Sequence, residues 1–599
     1  MITLPFKKNI PLTVVTLLVG LLLLVLFASS CNQDGDGSSN DAALVLELLA
    51  KAEPDECFCG IGAEDNGPIS NSATGDCSDL SPEEPLTVCV PKISQSYVWA
   101  IAKIGTRVWF GTLPNAICVV SSTQFTIADP ELNELYVCEY EESYVASSKP
   151  DPLFGDHRTS QIEVFDTGDG SIQDVSVADC DGQALLDTTL ALRQAGSVKI
   201  GDTPLVIFAG PSLLGGVNMF AFDAEGNACL AAKHFPDYND GRRTIVVDNN
   251  LYAAVGKSVD GENPGGGGRV LRYVGDLTDP LRWEEVGKLD TIGAVLTFHE
   301  GRIYVGTWPN VNPVLGDPGP IQNFLNGPRA GIYMSPVIPP GGLTGANLND
   351  WKKVWETSDY EPYSILSAIY GVGEIASFQG RLWWGTINVP LTSIALHIVV
   401  SEPDLLPVVL DEDFLAEECL PDPECSRRVT EAYENTRRAT VLFRGRNLDA
   451  TPEFELLYGE SSLPVFNSST GEWELQPNKM SLTPVFGKSG IENPDNSYTW
   501  AMAVFRDELY VGTFDSSIVN PYLDERPANP FGADLYRFSD LSSGGHPVSL
   551  DGLGNSLNYG IRNILPDEDG KNGDDGLYIG TANPFNLAPA GGWELLRLR

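Results

Sequence analysis

One short phrase recurs along the chain at long intervals. "GRIYVGTWPN" begins at residue 301, "DELYVGTFDS" at residue 507 and "DGLYIGTANP" at residue 575. Each copy contains an apolar and aromatic run that stops at Gly-Thr. Such a recurrence indicates one supersecondary unit that is used several times, because a single copy cannot bury its own apolar faces.

Seven segments align on this phrase, and each reads as two strands joined by a tight turn. Their anchor glycines are Gly111, Gly210, Gly256, Gly306, Gly385, Gly512 and Gly580. The turns carry Gly, Asp or Asn, which accept the left-handed backbone angles of a short hairpin. The flanking residues are β-branched or aromatic, as is typical of buried strands. We therefore predict seven antiparallel hairpins.

Two further strands follow several of these hairpins. After long loops rich in Pro, Gly and Asn come third strands such as 330–336 and 533–539. Fourth strands often carry a tryptophan, as with Trp283, Trp351 and Trp473. Four antiparallel strands per repeated unit predict an all-β fold, a β-propeller of about seven four-stranded blades.

The spacing of the anchor glycines leaves six or eight blades open. Successive glycines are 99, 46, 50, 79, 127 and 68 residues apart, whereas a blade takes roughly 40–50 residues. The two largest gaps therefore predict either a degenerate blade or an insertion, and a helix-like run favours an insertion near 390–440. The sequence stops on a strand of the third type, so we expect "LTVCV" at 86–90 to pair with it and close the ring.

The first 31 residues have the pattern of an export signal. Lys7 and Lys8 precede an apolar run from residue 10 to residue 28, and small residues then lead to Cys31. A basic start, an apolar segment and small residues before a cleavage point describe a secretory signal. The segment resembles a bacterial lipoprotein signal, a family in which the cysteine is lipidated and becomes the mature N-terminus. An uncleaved membrane anchor is the alternative.

This resemblance implies lipidation at Cys31 and a place in the bacterial cell envelope, anchored to a membrane on its periplasmic or cell-surface side. It divides the chain into a signal peptide at 1–30, a tether and cysteine-rich lead-in at 31–90, and a propeller at 91–599. The propeller region resembles exported bacterial β-propeller lipoproteins. That resemblance concerns architecture alone, because the sequence contains no motif of a specific enzyme family.

Charge and cysteine content bear on partners and cofactors. The formal net charge of −43 repels phosphate backbones and argues against nucleic acid. Besides Cys31 there are ten cysteines, an even number that predicts disulfides in an exported chain, with Cys419 and Cys425 as the best local pair. We predict no metal site and no cofactor. The acidic segments at 166–174 and 567–575 offer oxygen ligands for calcium, although neither has EF-hand spacing.

Antiparallel geometry predicts the face on which a ligand would bind. The start of strand one and the end of strand two of a hairpin lie on one face of the disc, and the longest loops open there. We expect binding residues at this face, namely Tyr97, Trp99, Trp308, Glu374, Tyr498, Trp500, Asp515 and Arg562. Aromatic rings at a central mouth stack on sugars or grip a peptide, but rings also fill the packing between blades. Both interpretations stay open. The charged residues at strand-one positions predict a polar channel.

Motifs for catalysis are missing. The five histidines lie in no nucleophile or metal pattern, and neither G-x-S-x-G nor H-E-x-x-H occurs. We therefore predict no catalytic residues, and a lipid-anchored extracytoplasmic binding or scaffold protein for a protein or glycan partner. The alternative is an extracellular carbohydrate-active enzyme, a hydrolase or lyase with its site at the propeller mouth, which rests on analogy between folds.

Overall fold

A computed structural model describes residues 59–64, 90–91, 95–117, 159–257, 267–310, 324–405, 423–517, 531–567, 576–585 and 590–598. Strands dominate these residues and helices are few and short, so the prediction of an all-β fold built from four-stranded antiparallel sheets is confirmed. The proposed signal, Cys31 and Cys419 lie outside the described residues.

Most strands of the described residues fall into antiparallel sets, called here sheets 1 to 7. The first two strands in the chain are β1 (Cys59–Glu64) and β2 (Val90–Pro91). Sheet 1 contains β3 (Gln95–Ile104), β4 (Arg107–Pro114), β5 (Ile162–Asp166) and β6 (Ile172–Asp174). Sheet 2 contains β7 (Gln194–Ile200), β8 (Thr203–Pro211), β9 (Val217–Asp223) and β10 (Cys229–Phe235). Sheet 3 contains β11 (Tyr238–Val247), β12 (Asn250–Lys257), β13 (Gly267–Tyr273) and β14 (Trp283–Leu289).

The second half of the chain continues the same pattern. Sheet 4 contains β15 (Ile292–His299), β16 (Arg302–Trp308), β17 (Gly331–Met334) and β18 (Lys352–Glu356). Sheet 5 contains β19 (Gly371–Phe378), β20 (Arg381–Ile387), β21 (Leu442–Arg446) and β22 (Glu453–Tyr458). A separate hairpin follows, β23 (Ser462–Asn467) and β24 (Glu472–Pro477). Sheet 6 contains β25 (Asn496–Phe505), β26 (Glu508–Asp515), β27 (Leu535–Phe538) and β28 (His546–Ser549). Sheet 7 contains β29 (Gly560–Asp567), β30 (Gly576–Ala582), β31 (Glu594–Leu598) and β1.

The threonine of the repeated Gly-Thr joins the second strand of a sheet to the start of its third. Five such threonines accept a hydrogen bond from a backbone N–H at the third strand, at 2.8–2.9 Å; they are Thr112, Thr307, Thr386, Thr513 and Thr581. All five are buried. A buried N–H needs an acceptor, and a hydroxyl at this position supplies one in each of these five sheets.

The close approach of the next sheet explains why the repeated phrase carries a glycine. A Cβ on Gly306 would lie 2.5 Å from Val372 of sheet 5, and one on Gly512 would lie 2.5 Å from Ile561 of sheet 7. The series returns to its start, since a Cβ on Gly580 would lie 2.7 Å from Val98 of sheet 1. Contacts between first strands follow the same cyclic order, β3–β7–β11–β15–β19–β25–β29–β3. At these three positions the glycine therefore lets the first strand of the next sheet pack closely against the preceding sheet.

The strand that completes sheet 7 differs from the prediction. β31 pairs with β1 in antiparallel register, from Cys59 opposite Arg597 to Gly62 opposite Glu594. "LTVCV" at 86–90 was expected in this place, but its last residue belongs to β2, which pairs in parallel with β1; residues 86–89 lie outside the described residues. "CGIGAE" has two glycines and little β-propensity, and the otherwise unpaired edge of β31 gives it its antiparallel partner.

Insertions explain the uneven spacing of the repeat. Five helices are described: α1 (Gln183–Asp187), α2 (Thr357–Tyr360), α3 (Ser364–Ile369), α4 (Pro390–Ser401) and α5 (Pro423–Thr436). Short 3-10 segments span Ala178–Cys180, Gly345–Asn347, Pro403–Leu405 and Ser489–Glu492. The longest gap holds α4, α5 and the β23–β24 hairpin, and the gap of 99 residues includes the long connection between β4 and β5. Trp473, expected on a fourth strand, lies on the separate hairpin and packs in an apolar cluster with Tyr363 and Leu396.

One disulfide of the described residues was not anticipated. Cys180 bonds to Cys229, which begins β10, with a Cα–Cα distance of 5.4 Å. Cys425 is also disulfide-bonded, while its predicted partner, Cys419, lies outside the described residues. Within the ranges given above, every helix is too short or too polar to cross a bilayer.

Candidate functional site

The first strands surround a cavity of about 500 Å³. Aliphatic side chains form most of its wall, and its charged lining comes from Arg193, Arg242, Arg243 and Glu374. With Arg562, the three arginines form what we call the arginine cluster. It is positively charged within a chain of strongly negative net charge.

Backbone bulges place several of the nearby side chains. In five first strands, the pairing skips the residue just before the partner of the anchor glycine. The skipped residues are Trp99, Ala294, Gly373, Trp500 and Arg562. In β11 two residues are skipped, Asn239 and Arg242. Bulges re-aim side chains and are common beside binding sites, and here they bring large side chains of several sheets to one region.

Asp240 holds two members of the arginine cluster. Nη1 of Arg193 donates to both carboxylate oxygens at 3.0 and 2.9 Å, and Nε of Arg242 donates to Oδ2 at 3.0 Å. Burial opposes the charged carboxylate, but attraction by Arg193 and Arg242 prevails and lowers the pKa of Asp240. Burial also lowers the pKa of both guanidinium groups, against the attraction of Asp240. The Asp240 carboxylate therefore pairs with both Arg193 and Arg242.

Arg243 connects the cavity wall to sheet 7. Its Nη2 lies 3.0 Å from Oε2 of Glu374 and donates to the carbonyl oxygen of Arg562 at 3.0 Å. Its Nη1 donates to Oδ1 of Asn563. Burial raises the pKa of Glu374, and the nearby Arg243 offsets part of that rise. This group spans three sheets, so it fixes the relative position of β11, β19 and β29.

Arg562 is buried without a carboxylate partner among the described residues. Its exposed fraction is 3%, and its Nε has no hydrogen-bond acceptor there. The guanidinium carbon lies 5.5 Å from the ring centre of Trp500 and 5.8 Å from that of Trp99. Burial, together with repulsion by the other three arginines, lowers the pKa of Arg562 well below its usual value, and attraction by Glu374 offsets only part of this. A buried cation in this state needs an anion from elsewhere.

Tryptophan ring faces also cover Arg242 and Arg193. The guanidinium carbon of Arg242 lies 3.2 Å from the ring centre of Trp308, and that of Arg193 lies 4.6 Å from the ring centre of Trp99. Nε1 of Trp308 donates to the carbonyl oxygen of Val372 at 2.8 Å, which fixes that ring. Cation–π contacts stabilise a buried guanidinium without neutralising its charge.

The two matching aromatic pairs of sheets 1 and 6 meet in one cluster. The Tyr97 and Trp500 rings are 5.9 Å apart, and Tyr498 stacks on Phe514 at 4.5 Å. The hydroxyl groups of Tyr97 and Tyr559 are hydrogen-bonded. These rings pack against each other across the sheets, as the packing interpretation expects, and through Trp500 and Trp99 they also border the arginine cluster.

Asp515 lies in a different environment from the other candidate residues. It accepts a hydrogen bond from the backbone N–H of Ser517 at 2.7 Å. Burial raises its pKa to about 7, and the nearby Asp495 and Asp534 add to the rise. Asp495 is paired with Arg437. Among the described contacts, the Asp515 carboxylate therefore belongs to a group of acids and not to the arginine cluster.

Sequence reasoning brought Tyr97, Trp99, Trp308, Glu374, Tyr498, Trp500 and Arg562 into one region, and the structure places them there. It missed Arg193, Asp240, Arg242, Arg243 and Tyr559. A signal was present for three of these, because "DGRR" at 240–243 lies on the first strand of sheet 3. These charged residues lie on a first strand, as Glu374 and Arg562 do.

A metal site receives no support within the described ranges. There, no group of three or more His, Cys, Asp or Glu side chains is placed to hold a metal ion. Of the two segments considered for calcium, residues 166–174 are described, whereas all but the first residue of 567–575 lie outside the described residues.

Comparisons with known proteins yield likenesses of structure alone. No protein-family profile matches the chain, and no curated protein sequence matches it. An ancestral GH74 enzyme is similar in structure with 10% identity and a TM-score of 0.37, over 84% of this chain and 48% of that enzyme. The chain thus spans about half the length of that enzyme. The β-propeller domain of the Trilobed protease from Pyrococcus furiosus has 8% identity and a TM-score of 0.30, over 74% of this chain and 81% of that domain.

Proposed function

We propose that the chain is an exported, seven-bladed β-propeller, lipid-anchored at Cys31, that binds a glycan at the arginine-lined region of its cavity. The seven-blade count is supported by the cyclic order of contacts between first strands and by the close approach of Gly580 to Val98. With β1 as the outermost strand, the last sheet also has four strands, so every sheet becomes one blade.

The observation that carries the binding function is the convergence of tryptophans and arginines beside the cavity. Trp99, Trp308 and Trp500 come from three sheets and meet the arginine cluster. Flat rings stack on sugar faces, and guanidinium groups donate hydrogen bonds to sugar oxygens. A cavity of about 500 Å³ is within the range of small-ligand sites. It suits a saccharide, or the end of a polymer, better than the flat surface of a protein partner.

A glycan array probed with the full chain in detergent tests this function. We expect Trp308→Ala to reduce binding to the array hits at least tenfold, because the ring covers Arg242 beside the cavity. Trp283→Ala is the matched control, since this tryptophan is also half-buried but lies on the outer strand β14. Equal losses in both variants, or no glycan bound by the wild-type chain, would contradict the proposal. If the chain binds a protein and no glycan, the proposed ligand is a protein partner instead of a glycan.

One observation favours a second candidate function, a carbohydrate-active enzyme. The surroundings raise the pKa of Glu374 and lower that of Asp240, and such divergence is the pattern of an acid and its ionised partner at a catalytic site. The two carboxyl groups would then act on a saccharide held by the tryptophans. Incubating the array hits with the chain and analysing products tests this candidate. Turnover that Glu374→Gln abolishes would favour the enzyme, whereas binding without products would exclude it.

A further inference from the structure

We propose that the arginine cluster binds an anionic group of the ligand, a carboxylate, sulfate or phosphate, and that the ligand is therefore an acidic saccharide. The inference rests on the glycan-binding function proposed above and names the chemistry of its ligand. It is drawn from charge balance, unused hydrogen-bond donors and ring geometry.

The charge of the site is unbalanced. Three of the four guanidinium groups pair with two carboxylates, Asp240 and Glu374, and Arg562 forms no ion pair among the described residues. An excess of two positive charges therefore remains when all six groups are ionised. Burial of an uncompensated ion is costly. The rest of the chain is acidic, with a formal net charge of −43, so a buried positive site here is a local departure from the overall charge.

Three N–H donors of the site have no acceptor among the described residues. They are Nε of Arg193, Nε of Arg562 and Nε1 of Trp99. Arg193 and Arg562 both lie over the Trp99 ring, at 4.6 and 5.8 Å, so the three donors occupy one small region. Oxyanions offer several acceptor atoms at once, and planar guanidinium groups bind them with matching geometry. An anion would satisfy both the charge and the donors.

The neighbouring rings point to an anion carried on a sugar. Trp308 and Trp99 are half-buried, and each holds a guanidinium over its ring. An aromatic ring has two faces, and a face not used in this way stacks on the apolar side of a pyranose ring. A uronic acid or a sulfated sugar combines such a face with an oxyanion. The same cluster would also accept inorganic sulfate or phosphate, because the recognised group is the same.

Titration calorimetry on the full chain in detergent tests the proposal with four probes. Glucuronate and glucose differ in one carboxylate, and sulfate and phosphate carry the anion without a sugar; chloride keeps the ionic strength constant. We expect saturable binding of glucuronate and of at least one inorganic anion, and none of glucose. Arg562→Met should weaken glucuronate binding about 10- to 100-fold, because hydrogen bonds to charged groups contribute about 1.5–3 kcal/mol. Arg562→Lys, which keeps the charge but loses the planar fork, should give an intermediate loss.

Arg446→Met serves as the control, because Arg446 is an exposed residue paired with Glu453 and should leave glucuronate binding unchanged. Inorganic anions that bind at the cluster while glucuronate and all glycans fail would support the anion site and contradict the glycan function. Neutral glycans that bind while glucuronate and both inorganic anions fail would overturn the anion site and leave the glycan function standing. Anion binding that Arg562→Met does not change would also overturn the proposal.

Discussion

Two arginines of this protein are equally buried and have opposite surroundings. Arg438 has an exposed fraction of 4% and Arg562 one of 3%. Arg438 donates to both carboxylate oxygens of Glu361, at 2.9 and 3.3 Å, and to the carbonyl oxygens of Asn435 and Pro464. Arg562 has two tryptophan faces and three like charges around it.

The pKa directions follow from these surroundings. Burial lowers the pKa of both guanidinium groups. At Arg438, attraction and hydrogen bonds from Glu361 outweigh burial and the pKa is raised, whereas at Arg562 the other arginines add to the effect of burial. The buried donors of Arg438 have acceptors within the fold, so its charge is compensated there. At Arg562 the attraction of Glu374 offsets only part of the cost of burial, and the pKa stays well below its usual value. This difference separates a structural charge from one for which we propose a ligand.

The largest expected effect concerns the structural arginine. Glu361→Gln keeps the shape of the side chain but removes the charge that faces Arg438. Breaking one side of a buried ion pair costs about 3–5 kcal/mol, so we expect the free energy of unfolding to fall by that amount in urea unfolding. Glu424→Gln is the control, because Glu424 pairs with Arg427 on the surface and such pairs contribute about 1 kcal/mol or less. Equal effects of the two substitutions would remove the basis of the comparison.

A buried carboxyl group extends the comparison to the opposite sign of charge. Glu163 has no exposed surface and neither of its oxygens has a hydrogen-bond partner among the described residues. Burial raises its pKa to about 8, and Asp174 adds to the rise. The folded state therefore keeps this proton up to about pH 8, while the unfolded chain loses it near its usual value of 4.5.

The pH dependence follows from that difference. Between these two pKa values, unfolding releases a proton, so the stabilising effect is complete at low pH and is lost as the pH rises through the folded value. The slope for one proton is at most about 1.4 kcal/mol per pH unit. We expect the wild-type chain to lose stability from pH 5 to pH 8 more steeply than Glu163→Gln, which has no proton to lose. Parallel curves for the two chains in urea unfolding at several pH values would show that the group is ionised in the folded state.

The sequence predicted the parts of the fold that are encoded locally. The Gly-Thr phrase recurs because the five sheets that carry it share the same threonine hydrogen bond and a closely packed glycine, as at Gly306 and Thr307. β1 could not be predicted in this way, because "CGIGAE" has no strand signal and pairs with residues near the other end of the sequence. Its place in the sheet is decided by the unpaired edge of β31 and not by its own residues.

The residues of the candidate site also differ in whether the sequence predicts their positions. Trp99 and Trp500 could be placed together because antiparallel pairing fixes which ends of strands share a face. Arg242 could not, because its position depends on a second bulge in β11 that follows the partner of the anchor glycine, whereas the second bulges of β3 and β25 precede that partner. Arg193 directly precedes β7, outside the strand itself. Bulges and strand entries depend on neighbouring sheets, so the periodicity of a single strand does not reveal them.

The smallest expected effect on stability belongs to Arg562 itself. Arg562→Met removes a buried charge and its repulsion by the other arginines, and methionine keeps an apolar side chain of similar length against Trp99 and Trp500. The loss of the cation–π contacts, about 0.5–2 kcal/mol, opposes this gain. Burial of a poorly compensated charge is costly, so its removal offsets the lost contacts. We therefore expect the free energy of unfolding to change by about 1 kcal/mol or less, measured by urea unfolding. Arg438→Met, the same substitution at equal burial, should cost several kcal/mol because it leaves Glu361 unpaired. A comparable loss in both variants would mean that Arg562 is compensated within the fold, and the reason to place an anion beside it would disappear.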